Sequence, residues 1–141
     1  MATARDIMTS NPTCAQEDQN MLDAARTMAD LDVGALPICG NDNRLKGMIT
    51  DRDIVVKVLA EGKDPASTKA GELGQGDGET VTIGADDSIE EALHTMTTHK
   101  VRRLPVIDGD KLVGVVSQAD LATHIDEERV GELVEAISAA P

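Results

Sequence analysis

The chain has 141 residues, 40% of them hydrophobic, with 13 basic and 26 acidic side chains and a formal net charge of −13. That charge argues against electrostatic capture of DNA, RNA or an anionic membrane, each of which needs a basic surface. No apolar run approaches the roughly 18–20 residues of a membrane span. The N-terminal residues lack the apolar core of a secretory signal, so a cytoplasmic location is expected. Phe, Tyr and Trp are absent. The core is therefore expected to be built from Ile, Val, Leu, Met and Ala, and a bound base would lie between aliphatic side chains.

In chain order, Pro12-Thr13-Cys14-Ala15 reads as a short strand. Asn20 caps a helix whose Met21, Ala24, Ala25 and Met28 share one face at i, i+3, i+4, i+7. Residues 33–39 and 45–49 flank the turn Gly40-Asn41-Asp42-Asn43 and form a hairpin. A helix follows over 51–59. Residues 62–78 are rich in Gly, Ser, Lys and Asp and read as a connection, within which Ala70-Gly71-Glu72-Leu73 echoes Ala4-Arg5-Asp6-Ile7. Val81-Thr82-Ile83 is the next strand. Ser88, with Glu91 three residues on, caps a helix with Ile89, Ala92, Leu93 and Met96 on one face. Residues 101–107 and 111–116 flank Asp108-Gly109-Asp110 as a second hairpin, and a helix runs from 118 to about 124. The tail places Val130, Leu133, Val134 and Ile137 at helical spacing, to cap the core or to pack on a partner. Each strand–helix–strand unit implies a parallel pair, to which the hairpin adds an antiparallel strand.

This order is one pattern written twice. Leu36-Pro37-Ile38, then Leu45-Lys46-Gly47-Met48-Ile49-Thr50 and Asp53, returns as Leu104-Pro105-Val106, then Leu112-Val113-Gly114-Val115-Val116-Ser117 and Asp120. The offset is 68 residues before the hairpin turn and 67 after it. A repeat of this length implies two related half-domains with one site in each.

The repeated Leu-Pro-aliphatic, turn, Gly-aliphatic-aliphatic-Thr/Ser-x-x-Asp pattern resembles a pair of CBS domains, a Bateman module. The first copy's Val33-Gly34-Ala35-Leu36-Pro37-Ile38-Cys39-Gly40 and Thr50-Asp51-Arg52-Asp53-Ile54-Val55 resemble the stand-alone actinobacterial pairs of the hypoxic response protein type, which also have cysteines at the positions of Cys14 and Cys39. The resemblance implies an α/β (α+β) fold of two β-α-β-β-α half-domains related by a pseudo-twofold axis, with a cleft for each copy between them. The expected division is 1–61 for the first domain, 62–80 for a linker and lead-in turn, 81–125 for the second, and 126–141 for a C-terminal helix and tail. It also implies a regulatory module that binds an adenosine-containing ligand such as AMP, ADP, ATP or S-adenosylmethionine. A homodimer is expected, signalling to an effector protein that the sequence does not name; the alternative is a ligand-free scaffold of the same fold that acts as a protein-interaction or redox-linked stress protein with a Cys14–Cys39 disulfide.

Carried over residue by residue, Asp53 and Asp120 would accept hydrogen bonds from a ribose diol. Thr50 and Ser117 would meet a phosphate where a helix begins. Thr-x-x-Asp is equally an N-cap pattern, so both readings stand. Arg52, Arg102 and Arg103 suit phosphate recognition or ordinary surface charge. The copies differ here: Arg102-Arg103 replaces Gly34-Ala35 and Gln118-Ala119 replaces Asp51-Arg52, which favours the second copy for a phosphate. Pro37-Ile38 and Pro105-Val106 would present main-chain groups to the base, each proline belonging at a strand edge or bend. Cys14 and Cys39 lie on strands expected to be neighbours, as a disulfide or as two thiols. His94, His99 and His124 are scattered, and no zinc spacing or other metal site is expected. There is no nucleophile–base pair, Walker loop or Gly-x-Gly-x-x-Gly, and the glycine cluster at 71–78 lacks the Lys-Ser/Thr of a phosphate loop. Neither catalysis nor a cofactor is expected.

Overall fold

The computed structural model describes residues 2–74 and 80–139. The middle of the expected connection and glycine cluster, 75–79, and the end of the tail lie outside the described residues. In chain order the elements are α1 (Ala4–Ile7), β1 (Thr9–Ser10), β2 (Ala15–Gln16), α2 (Met21–Leu31), β3 (Ala35–Cys39), β4 (Leu45–Thr50) and α3 (Asp51–Asp53), which continues as a π-helix (Ile54–Leu59). Then come α4 (Ala70–Gly74), β5 (Ile83–Gly84), α5 (Ile89–His99), β6 (Arg103–Asp108), β7 (Lys111–Ser117), α6 (Gln118–Ala122) and α7 (Glu127–Ser138). They form two compact units, Thr13–Thr80 and Met1–Pro12 with Val81–Pro141.

The Thr13–Thr80 unit holds a three-stranded sheet in the order β2-β3-β4, with β2 parallel and β4 antiparallel to β3. The other unit holds four strands in the order β1-β7-β6-β5, with β5 parallel to β6 and the remaining pairs antiparallel. The mixed pairing expected from the repeat is present in both. The first strand of each copy starts later than its apolar run, because pairing begins only at Ala15 opposite Ile38 and at Ile83 opposite Val106. β1 was not expected. Its two residues are exposed and too few to show a period, yet they pair with Val115 and Gly114 of β7. Gly114 permits this approach, since a Cβ there would stand 2.9 Å from the Thr9 carbonyl oxygen.

The two lead-in turns complete the opposite copies, so the packed units do not follow the expected division of the chain. α1 belongs with the second copy: the Ala4 N–H donates to the Asp87 carbonyl at 2.8 Å and the Arg5 N–H to that of Ala85 at 2.9 Å. Arg5 also pairs with Asp86 and Asp108 at 3.5 and 3.0 Å. Its echo, α4, belongs with the first copy, where the Ala70 and Gly71 N–H groups donate to the carbonyls of Gln19 and Glu17 at 2.8 and 2.9 Å. Ala4 and Ile7 enter one apolar core, and Ala70 and Leu73 enter the other.

The helix faces read from the sequence are the buried ones. Met21, Ala24 and Met28 pack on Leu36, Ile38 and Ile49, with Ala25 partly buried beside them. Ala92, Leu93 and Met96 pack with Leu104, Val106 and Val116, with Ile89 at the margin. The tail helix caps its own core, with Leu133 and Ile137 only 0% and 3% exposed. Val130 is half-buried and Val134 faces out.

α2 and α5 end alike, on the left-handed residues Asp32 (φ 55°) and Lys100 (φ 54°). The next N–H reaches back to a buried methionine carbonyl, from Val33 to Met28 at 3.0 Å and from Val101 to Met96 at 3.2 Å. This is the Schellman end that glycine ordinarily provides. Lys100→Gly is therefore expected to stabilise the chain by about 0.5–1 kcal/mol through relief of the Cβ strain, read as a higher denaturant midpoint at unchanged slope.

Candidate functional site

Both Thr/Ser-x-x-Asp turns are formed at the junction of a hairpin and a helix. The Thr50 N–H donates to Asp53 Oδ2 at 2.9 Å, and the Asp53 N–H donates to Thr50 Oγ1 at 3.1 Å. In the second copy the Ser117 N–H donates to Asp120 Oδ2 at 2.8 Å, and the Asp120 N–H donates to Ser117 Oγ at 3.1 Å. Both are reciprocal capping boxes, so the cap reading of these residues holds. It uses one carboxylate oxygen of each Asp and the acceptor side of each hydroxyl. The second oxygen and the hydroxyl proton are left for other chemistry.

The second oxygens differ between the copies. Asp53 Oδ1 is held by Lys57 Nζ at 3.4 Å. Lys57 was not singled out from the sequence, although its i, i+4 spacing from Asp53 on a helix is the signal that would have found it. Its counterpart is His124, which turns away from the carboxylate. The His124 ring Nδ1 stands 2.9 Å from the Asp120 main-chain carbonyl and 2.9 Å from Thr123 Oγ1. The second carboxylate oxygen of the half-buried Asp120 has no partner among the described residues.

The arginines differ in the same sense. Arg103 lies directly opposite Ser117 on the β6–β7 ladder, and the Arg102 carbonyl accepts the Gln118 N–H at 2.9 Å. Arg102 and Arg103 thus adjoin through their main chain the turn that holds Asp120, and neither has an ion pair among the described residues. At the equivalent places of the first copy, Ala35 faces Thr50 and the Gly34 carbonyl accepts the Asp51 N–H at 2.9 Å. Arg52 is exposed there, next to the exposed Asp51.

Pro37 and Pro105 correct one expectation. They lie in β3 and β6, which have neighbours on both sides, not at an outer edge. The register explains how the sheet tolerates them. The bonds from Asp51 to Gly34 and from Gln118 to Arg102 set the ladder phase, so that Pro37 opposite Met48 and Pro105 opposite Val115 fall at non-bonded positions. On the other side β2 and β5 begin one residue later, at Ile38 and Val106. Each proline is an edge residue inside a central strand. Ile38 and Val106 have fully buried side chains.

Cys14 and Cys39 are joined in a disulfide with a Cα–Cα distance of 5.7 Å. The two sulfurs span the start of β2 and the end of β3, and Cys39 is fully buried. An open groove of about 340 Å³ lies in the same unit, lined by Glu17, Asp18, Lys69, Gly71 and Glu72. It contains none of the residues expected to form the site. Among the described residues no helix is long and apolar enough to cross a membrane.

Two units of this build, each with a Leu-Pro strand and a capped Thr/Ser-x-x-Asp helix start, define a tandem regulatory module. The CBS domain model matches residues 4–60 and 78–127, and the chain belongs to the CBS domain family, with two copies. It is 49% identical over 137 residues to hypoxic response protein 1 of Mycobacterium tuberculosis, covering 97% of this chain and 94% of that protein. A crystal structure of hypoxic response protein I with two coordinated zinc ions is similar at 50% identity with a TM-score of 0.82, covering 89% of this chain and all of that one. The structure of CBSX2 in complex with AMP shares the fold at 22% identity with a TM-score of 0.75, covering 88% of this chain and 96% of that one.

Proposed function

We propose that this chain is a non-enzymatic regulatory module that binds an adenosine-containing ligand, with the second copy as its phosphate-accepting site. The observation that carries this reading is the arrangement at the start of α6. Asp120 holds its turn through one carboxylate oxygen and keeps the other uncommitted, and the ladder sets Arg102 and Arg103, without ion pairs among the described residues, opposite Gln118 and Ser117 of the same turn. A ribose diol donates to such a carboxylate, and guanidiniums neutralise the phosphate that follows it. Pro105-Val106, on the same strand as Arg103, is the segment that would meet the base. The AMP complex of a protein with this fold supports the ligand class. The first copy is the weaker site for a nucleotide, because Lys57 occupies Asp53 and Asp51 adds like charge.

Thermal unfolding with AMP, ADP, ATP and S-adenosylmethionine tests the reading. A ligand at about 100 times its dissociation constant adds roughly 2.7 kcal/mol, which moves the midpoint by several degrees in a chain of this size. Asp120→Ala is expected to abolish the nucleotide shift and Asp53→Ala to leave most of it. Arg102→Ala with Arg103→Ala is expected to reduce the shift by AMP while sparing that by adenosine. No shift with any of the four at millimolar concentration would refute the ligand reading.

The Cys14–Cys39 disulfide favours a second reading, a stress-linked module whose first copy responds to redox state and which signals as a homodimer to an effector protein. The similarity to a hypoxic response protein supports it. A cytoplasmic location then requires that burial of Cys39 shield the bond from cellular thiols. Among the described residues no three His, Cys, Asp or Glu side chains are placed to share a metal ion, and both sulfurs are in the disulfide.

A further inference from the structure

The two cysteines are joined in the disulfide, so the sulfur left to oxidise in this chain is the methionine thioether. Among the described residues Met21, Met28 and Met96 are buried, at 0%, 5% and 0% exposure. Met8 and Met48 are half-buried. Met8 follows α1, and its N–H closes that turn on the Ala4 carbonyl at 2.9 Å. Its side chain fills the place that a side chain at residue 114 would take: a Cβ on Gly114 would stand 2.3 Å from Met8 Sδ and 2.7 Å from its Cγ. The thioether thus lies directly on the main chain of β7, and it packs against the apolar cluster that holds Leu104, Val106 and Val116. β1 begins at the next residue. It is the outer strand of its sheet, two residues long and exposed. Beyond its pairing with Val115 and Gly114, the Asn11 N–H adds a 3.2 Å bond to the Val113 carbonyl. So short an edge has little of its own to hold it, and Met8 is the apolar contact beside it.

We propose that Met8 is a modification site: hydrogen peroxide oxidises its thioether to the sulfoxide, and the sulfoxide releases β1 from β7. In that step a sulfur lone pair takes one oxygen of the peroxide. The O–O bond breaks as the S–O bond forms, the sulfur loses two electrons, and the other oxygen leaves as water. The product is a polar, hydrogen-bond-accepting group where an apolar one stood. Against the Gly114 main chain and aliphatic side chains it is costly unless it finds a donor, and turning out to water supplies one. Turning out removes the contact on Gly114, and the edge strand opens. α1 stays in place, since Ala4 and Ile7 remain in the core and Arg5 keeps its pairs with Asp86 and Asp108. The proposal is independent of the ligand. Gly114 lies opposite Val106 on the β6–β7 ladder, so the change falls beside the strand proposed to meet the base.

Hydrogen peroxide treatment of the full chain, followed by peptide mass spectrometry, gives the oxidation rate at each methionine. Met8 and Met48 are expected to oxidise at least about tenfold faster than Met21, Met28 and Met96. The oxidised chain is expected to unfold several degrees lower, with faster amide exchange at residues 9–11 and 113–115. Met8→Leu keeps an apolar contact and is expected to hold its midpoint under the same treatment, with Met48 still oxidised. Met8→Gln, polar and of similar length, is expected to lower the midpoint without peroxide. A rate at Met8 no greater than at the three buried methionines would overturn the proposal, as would an unmoved midpoint in chain fully oxidised at Met8. An equal fall in peroxide-treated Met8→Leu would place the effect on another methionine and overturn it too. If Met8→Leu does not fold, the rates and the exchange at 9–11 in the wild type decide: unchanged exchange in chain oxidised at Met8 ends the proposal.

Discussion

Replacing Leu133 by alanine is expected to destabilise the chain by about 3 kcal/mol, inside the 2–5 kcal/mol span of buried leucine truncations. Leu133 is fully buried, and it belongs to the same apolar cluster as Ala92, Leu93, Met96 and Leu121. The truncation removes its transfer free energy and leaves a void under α7 that a helix tied at its N-terminal end fills poorly. Arg129 and Glu90 tie one end; hydrogen bonding to Arg129 holds the Glu90 carboxyl below the ordinary carboxylate range. Asp126 caps the same end, its Oδ1 accepting the Arg129 N–H at 2.9 Å. Val134→Ala on the exposed side of the same helix is expected to change stability by no more than about 0.5 kcal/mol. Denaturant unfolding gives both numbers, and hydrogen exchange places the loss on β6 and β7. A cost below about 1 kcal/mol for Leu133→Ala would mean that α7 is an appendage and not part of the core.

Opening the Cys14–Cys39 disulfide is expected to cost a similar amount, about 3 kcal/mol, in the other unit. The bond closes a loop across a sequence separation of 25, and the chain-entropy estimate for loops of that order is roughly 3–4 kcal/mol. The loop contains α2 and most of β3, so the released freedom falls on the strand that carries Pro37 and Ile38. Cys14→Ser is expected to match chemical reduction, because either change releases the same loop. Leu133 and the disulfide lie in different compact units, so the two costs should add within about 0.5 kcal/mol in the double variant. Mass spectrometry after alkylation supplies the control: two freely alkylated thiols in the native protein would end this prediction.

These two expectations also mark how far the sequence reaches. The amphipathic faces of α2 and α5, the hairpins, the two capping boxes and the near-identity of the copies are set within windows of a few residues. In such windows helical period, turn chemistry and cap preference act without help from distant chain. The asymmetry of the candidate site was legible too, since Arg102-Arg103 against Gly34-Ala35 is a difference of residue type at matched positions. The structure added the pairing of Lys57 with Asp53 and the turning away of His124. Both depend on rotamers that a spacing rule does not choose.

What only the tertiary structure decided is which segment completes which core. α1 joins residues 83 to 116 and α4 joins residues 15 to 58, although in the chain each lies next to the other copy. The echo of Ala4-Arg5-Asp6-Ile7 in Ala70-Gly71-Glu72-Leu73 showed that the two segments were alike, but not where either would pack. In the same way the spacing of Val130, Leu133, Val134 and Ile137 identified a helix, and the seat between α5 and α6 decided which residues it buries. The tolerance of Pro37 and Pro105 in central strands also came from outside their own hairpins, from neighbours that begin one residue later. The reason is common to all three. Local pattern is written in the residues that form it, whereas burial and strand edges are properties of pairs of segments distant in the chain. Their choice of partner is a comparison of surfaces that no single stretch of sequence contains.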